Sequence, residues 1–145
     1  MTKAPPLRLS LVTLGVKDVT AAAKFYEDMG LQRRLKNAEG VAFLEAGGVV
    51  LSIYSREALA KDIGAENEKA GFGGVTLAYN VPTEAEVDLV LGAAQKAGGK
   101  ILKEADRIFW GGYVGYFADP EGHIWEVAHN PGFSFDDRGH VVVPD

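Results

Sequence analysis

The chain of 145 residues has no cysteine. That excludes disulfides, thiolate metal sites and cysteine nucleophiles, and it fits a cytosolic protein. No apolar run approaches membrane-spanning length, and the opening MTKAPPLRLS lacks the apolar stretch of a secretion signal. The expectation is a cytoplasmic protein with no membrane partner. Positive charge is also scarce. Lys and Arg number 15 against 20 Asp and Glu, the net charge is −5, and no basic patch stands out. Nucleic acid is therefore not an expected partner. There are three histidines, and residues 9–16, 49–54 and 72–81 contain no His, Glu or Gln at all.

What is present is apolar bulk and glycine. Hydrophobic residues make up 47% and charged residues 24%, enough for a real core in one domain or two small packed halves. The 18 glycines imply many tight turns and close backbone approaches.

The chain reads as two similar halves. Leu7 to Val16 is rich in Leu, Val and Thr and predicts a largely buried strand. A helix follows to about Met29, capped by Thr20 with Asp18 as the rival, and stopped at Gly30. Strands are expected at Gln32–Lys36, Val41–Glu45 and Val49–Tyr54, with Gly47-Gly48 as a hairpin turn. Ser55 to Ile63 predicts a short helical excursion and Glu66 to Gly71 a polar connector. The order then restarts with a strand at Val75–Val81. Thr83-x-x-Glu86 is a capping box, and Gly98-Gly99 ends its helix. Lys100–Lys103, Gly112–Ala118 and Ile124–Ala128 supply three more strands. Thr13-Leu14 precedes Thr20 as Thr76-Leu77 precedes Thr83, an offset of 63 between the halves. Each half is βαβββ. The expected fold is α+β, with two such modules forming a curved mixed sheet around a central cleft. The single domain would span 1–145. Its first module would be 7–54, the connector 55–72, the second module 73–130 and the tail 131–145.

The stretch from Trp110 to His129 organises the rest. Asp119-Pro120-Glu121-Gly122 is a turn, with Pro presetting φ and Gly relieving the left-handed position. The strand after it is apolar except for Glu126. Side chains alternate between faces, so Glu126 is opposite Trp125, Val127 and His129. Its face is either solvent, where Glu126 is ordinary, or a cavity, where Glu126 is chemistry.

These residues resemble the vicinal oxygen chelate superfamily, which includes glyoxalase I, extradiol dioxygenases and bleomycin resistance proteins. Leu14-Gly15-Val16-Lys17-Asp18, Phe25-Tyr26 and Gly30-Leu31 carry the likeness in the first half. Phe117 to Glu126, FADPEGHIWE, carries it in the second. The resemblance covers about Leu7 to Asn130 and implies a cleft site and frequent homodimers. In metal-dependent members it implies one divalent ion held by His, Glu or Gln from the first and fourth strands of each half. Those positions fall here on Leu11, Ser52, Gly74 and Glu126. Only Glu126 is a good ligand, so the resemblance implies no metal and no other cofactor.

The other candidates are aromatic. Phe109, Trp110 and Tyr113 flank Gly111-Gly112, and Tyr54 ends the matching strand of the first half; such residues give a concave site a flat apolar wall. His123 and His129 read as turn or surface residues, and strand parity argues against His129 as a partner of Glu126. The candidate set is Glu126 as the chemical residue, with Leu11, Thr13, Ser52, Tyr54, Gly74, Trp110 and Tyr113 binding the ligand. The expected function is metal-free binding of a small, planar or aromatic molecule by a homodimer, in the manner of resistance proteins. The alternatives are a glyoxalase-like lyase or isomerase or a ring-cleaving dioxygenase with a non-standard metal site involving Glu126. Metal-free acid–base catalysis by Glu126 is a third.

Overall fold

Asp18, not Thr20, caps the first helix. Its carboxylate accepts from Ala21 N at 3.0 Å in the computed structural model, which describes residues 9, 11–62, 75–109 and 111–143. An Asp side chain reaches the free amides of the first turn as well as Thr does, and here it comes two residues earlier. The helix, α1 (Val19–Asp28), buries Ala22, Ala23, Phe25 and Tyr26, and Gly30 follows it at φ 99°.

Around α1 lies a four-stranded mixed sheet in the order β1 (Leu11–Val16), β4 (Val50–Ser55), β3 (Val41–Glu45), β2 (Gln32–Arg34). β1 and β4 are parallel; the other pairs are antiparallel. β2 is shorter than the sequence implies because Leu35 turns to φ 49°, a left-handed conformation that breaks the ladder. The short helix α2 (Arg56–Asp62) occupies the expected excursion. The polar connector expected at 66–71 lies outside the described residues, as do Gly74 and Trp110.

The second sheet repeats the first in the order β5 (Leu77–Asn80), β8 (Ile124–His129), β7 (Tyr113–Ala118), β6 (Lys100–Arg107). Its helix, α3 (Glu84–Lys96), starts at the expected capping box. Thr83 accepts from Glu86 N at 3.2 Å and donates its hydroxyl proton to the Glu86 carboxylate at 3.0 Å. β6 runs four residues beyond the sequence-based expectation. Two register shifts let it follow β7 past Lys103. A small hairpin of β9 (Ser134–Phe135) and β10 (Val141–Val142) forms the tail. The tail lies over the first half, since a Cβ on Gly48 would meet His140 Cε1 at 3.6 Å. The fold is therefore α+β, with two open four-stranded mixed sheets and three helices among the described residues.

Strand register fixes how the halves correspond. Thr13 pairs with Ser52 as Ala78 pairs with Glu126. Thr13 and Ala78 are 65 residues apart, and so are the two caps, Asp18 and Thr83. The offset of 63 drawn from Thr20 is therefore corrected to 65.

One core serves both sheets. Leu14, Val16, Leu44, Leu51 and Ile53 face α1, and Phe117 and Val127 face α3. The halves join through these helix-bearing sides. Phe25 and Tyr26 of α1 meet Phe117 and Trp125 of the second sheet, with ring centroids 6.0 to 6.4 Å apart.

Candidate functional site

Alternation along β1 and β4 puts Leu14, Leu51 and Ile53 into the core, which sends Leu11, Thr13, Ser52 and Tyr54 to the other, open face of the first sheet. In the second sheet Trp125 and Val127 pack inward, so Glu126 lies on the open face. It stands opposite Tyr116 on β7, whose hydroxyl donates to Glu126 Oε2 at 2.9 Å. That bond, followed by partial burial, raises the Tyr116 phenol above its ordinary pKa. Glu126 is half-buried and Tyr116 half-buried beside it. One row across this face reads Lys103, Tyr116, Glu126, Ala78. The matching row of the first sheet reads Arg34, Phe43, Ser52, Thr13. Each sheet thus carries a cation, an aromatic ring and a polar central residue on its open side.

Because the halves meet at their helix-bearing sides, the two open faces are turned outward. The cavities of about 290 and 440 Å³ between the halves do not touch Leu11, Thr13, Ser52, Tyr54 or Glu126. The sequence-based set is therefore brought together only in part. Tyr113 is a correction. It shares the face of Val127 and His129, and its hydroxyl donates to Asp88 of α3 at 2.9 Å. Odd and even positions of β7 face opposite ways, so Tyr113 cannot stand beside Glu126 while Tyr116 does. Phe109 is fully exposed. Tyr54 bonds its hydroxyl to Asp62 of α2 at 3.3 Å.

Two groups of functional interest escaped the sequence-based reading. Tyr116 and Glu126 flank the Asp119–Gly122 turn at equal distances from Glu121, a symmetry that would have paired them. Asp119 is the other. Only 3% exposed, it accepts from Glu121 N and His123 N through Oδ1 and from the Tyr26 hydroxyl through Oδ2, 2.7 Å away. His123 Nδ1 also lies 2.7 Å from Oδ2, and Trp125 Nε1 donates to Tyr26 at 3.0 Å. Burial alone would raise the Asp119 carboxyl, but the bonds from His123 and Tyr26 hold it below its usual value. Burial, followed by the nearby Asp119 charge, pushes the Tyr26 phenol far up. His123 is thus a turn residue with a fixed partner. His129 sits opposite Glu126 with Nδ1 3.2 Å from Val81 O.

The corrected offset changes one ligand position. The counterpart of Leu11 is Thr76 rather than Gly74, because Leu11 lies two residues before Thr13, the partner of Ser52, and Thr76 lies two before Ala78, the partner of Glu126. The four positions are then Leu11, Ser52, Thr76 and Glu126. One carboxylate, two hydroxyls and a hydrocarbon do not fit a divalent cation, which requires several converging O or N donors. No group of three or more His, Asp or Glu elsewhere among the described residues is placed to hold one.

The glyoxalase/bleomycin resistance protein/dioxygenase superfamily model matches residues 8–127. A glyoxalase-related enzyme from Fulvimarina pelagi is 34% identical, covering 95% of this chain and 99% of its own, with a TM-score of 0.82. A glyoxalase/bleomycin resistance protein/dioxygenase family enzyme from Burkholderia phytofirmans PsJN is 22% identical over 85% of this chain and 98% of its own, with a TM-score of 0.76. A lactoylglutathione lyase from Agrobacterium tumefaciens is 24% identical over 87% and 96%, with a TM-score of 0.66. At these last two identities the likeness is one of fold. No curated protein gives a significant match. With the matched model spanning most of the chain, the protein belongs to the glyoxalase/bleomycin resistance protein/dioxygenase superfamily.

Proposed function

We propose that the protein binds a small, planar or aromatic molecule without a metal, on the open sheet face around Glu126, in a cleft completed by a second copy of the chain. The observation that carries this reading is the donor set. Of the four metal positions only Glu126 offers a strong ligand, and it is already engaged by Tyr116.

The carboxylate has one oxygen bonded to the phenol, which leaves Oε1 to accept a proton donor from a ligand. A charge-assisted bond of this kind fixes orientation as well as affinity. The Tyr116 ring beside it supplies a flat surface. Val114, Ala118, Ile124 and Ala128 surround the pair with short apolar walls on the same face. The corresponding face of the first sheet carries Leu11, Thr13, Ser52 and Tyr54, with Ser52 only 5% exposed and Tyr54 bonded to Asp62 of α2. Leu11, on the edge strand β1, is 43% exposed there, and a second copy laid across it would cover it. A homodimer pairing the first sheet of one copy with the second sheet of the other closes two equivalent clefts. A cytoplasmic location belongs to the same proposal.

Thermal-shift screening of a small-molecule library, on the wild type and on Glu126→Gln, tests it. The expected result is a ligand that raises the melting temperature of the wild type much more than that of the variant, with both folded and dimeric. Stoichiometric metal bound through Glu126 and two further side chains would overturn it, as would a strictly monomeric protein at micromolar concentration.

A further inference from the structure

A second site lies on the opposite side of the second sheet, between the helices. The apolar groove there encloses about 290 Å³ and is walled by Met29, Leu31, Tyr79, Leu89 and Val90 over a floor of aromatic rings. Phe117 and Trp125 form that floor with Tyr26, their ring planes 3° apart. Large apolar side chains stay exposed on its rim, Leu89 at 70% and Tyr79 at 50%. The polar atoms of the floor are spent. Trp125 Nε1 donates to Tyr26, and the Tyr26 hydroxyl donates to Asp119. Whatever fills the groove must therefore present an apolar body, because a polar one would leave its own groups unpaired.

The groove continues into a second cavity of about 440 Å³ that shares Met29, Leu31, Tyr79 and Trp125 with it. Its far wall is the tail turn Arg138-Gly139-His140 and the turn at Ala46-Gly47. Charge changes there. Glu45, on that wall, is held by Arg34 at 3.1 Å, and His140 Nδ1 lies 3.6 Å from Asp136. Arg138 also lines the wall, and among the described residues no carboxylate stands within ion-pair distance of its guanidinium. A guanidinium with no carboxylate partner among the described residues, at one end of an apolar groove on a chain of net charge −5, selects for a negative head group.

From the apolar floor and the cationic end we infer that the groove binds small amphipathic anions: an aromatic or long apolar body along Trp125 and Phe117, with a carboxylate or sulfonate on Arg138. This site is separate from the sheet face of Glu126, so either can fail alone.

Two fluorescent probes that share one body test the inference on the full chain. 1-Anilinonaphthalene-8-sulfonate carries the anion, and N-phenyl-1-naphthylamine lacks it. The sulfonate should bind one per chain, saturably, and accept energy from tryptophan. Arg138→Gln should weaken it about tenfold, the order of one charge-assisted hydrogen bond, and leave the neutral probe unchanged. Ala93→Phe, which adds a ring at an exposed position lining the groove, should weaken both probes. If Ala93→Phe lowers the melting temperature, Leu89→Glu on the exposed rim replaces it and should also weaken both. Sulfonate affinity indifferent to Arg138→Gln, binding of either probe indifferent to the groove variant, or unsaturable uptake would each overturn the inference.

Discussion

Removing one hydroxyl, in Tyr26→Phe, tests whether the Asp119 network joins the two halves. Tyr26 comes from α1 of the first half and is 2% exposed. Its hydroxyl donates to Asp119 at 2.7 Å and accepts from Trp125 at 3.0 Å, both in the second half. A net hydrogen bond to a charged group is worth about 1.5–3 kcal/mol and a neutral one about 0.5–1.5. The change leaves Trp125 Nε1 without a partner, while Asp119 keeps Glu121 N, His123 N and the His123 ring. The expected loss is about 2–4 kcal/mol, which at about 3 °C per kcal/mol for a chain of this size lowers the melting temperature by about 6–12 °C. Urea unfolding followed by tryptophan fluorescence measures it, and an unchanged m-value would show that the same surface is exposed. Combining it with Asp119→Asn should cost less than the sum of the two single changes, because both remove the same bond. A loss under about 0.5 kcal/mol, or strict additivity in the double variant, would refute the network as a source of stability.

Four further outcomes follow from the same structure. The Asp119 carboxyl titrates below its ordinary value when folded, so its stabilisation is present above pH about 4 and fades as pH falls through the folded pKa; Asp119→Asn should flatten that acid limb in pH-dependent melting. The Tyr26 phenol is raised when folded, so its contribution holds below pH about 10 and is lost above it, and Tyr26→Phe should flatten the alkaline limb. Gly115→Ala would set a Cβ 2.6 Å from Leu91 Cδ1 and 3.1 Å from Ala105 N and Lys103 O, and overpacking of this kind should cost about 1–3 kcal/mol in urea unfolding. Asp18→Ala should cost about 1 kcal/mol as the loss of a helix cap, while Thr20→Ala, on the exposed surface of α1, should cost less than half that; equal effects would contradict the cap assignment.

Periodicity and turn chemistry made most of the fold legible. The Thr83 box, the glycine stops at Gly30 and Gly98, and the Asp119–Gly122 turn each act through neighbouring residues, so the sequence alone reveals them. The exceptions have one cause. Asp18 and Thr20 are both competent caps, and local chemistry cannot choose between them; tertiary context does, since Asp18 N also donates to Glu121 Oε2 at 3.2 Å in the other half. The error then propagated, moving the repeat offset by two and the counterpart of Leu11 from Thr76 to Gly74. Tyr113 failed differently. Its parity is legible from the strand, and parity, not clustering along the chain, decides the face on which each ring stands. Tyr116 and Asp119 were missed because their roles depend on partners far away in sequence or across a turn, with Tyr26 93 residues from Asp119.

The same register explains why a single carboxylate decides the chemistry open to this chain. Equivalent rows place Ser52 where the second half has Glu126, Thr13 where it has Ala78, Phe43 where it has Tyr116, and Arg34 where it has Lys103. A fold built from two like halves offers a divalent ion four converging positions, and several must hold strong donors for the ion to gain more than it loses in shedding water. Here the first half contributes a hydroxyl and a leucine at its two positions, and the second a hydroxyl and Glu126. The phenol of Tyr116 satisfies one oxygen of Glu126 at 2.9 Å. On the proposed function, such a site would recognise a proton donor lying flat against an aromatic ring, and its four positions hold too few strong donors to fix a divalent ion.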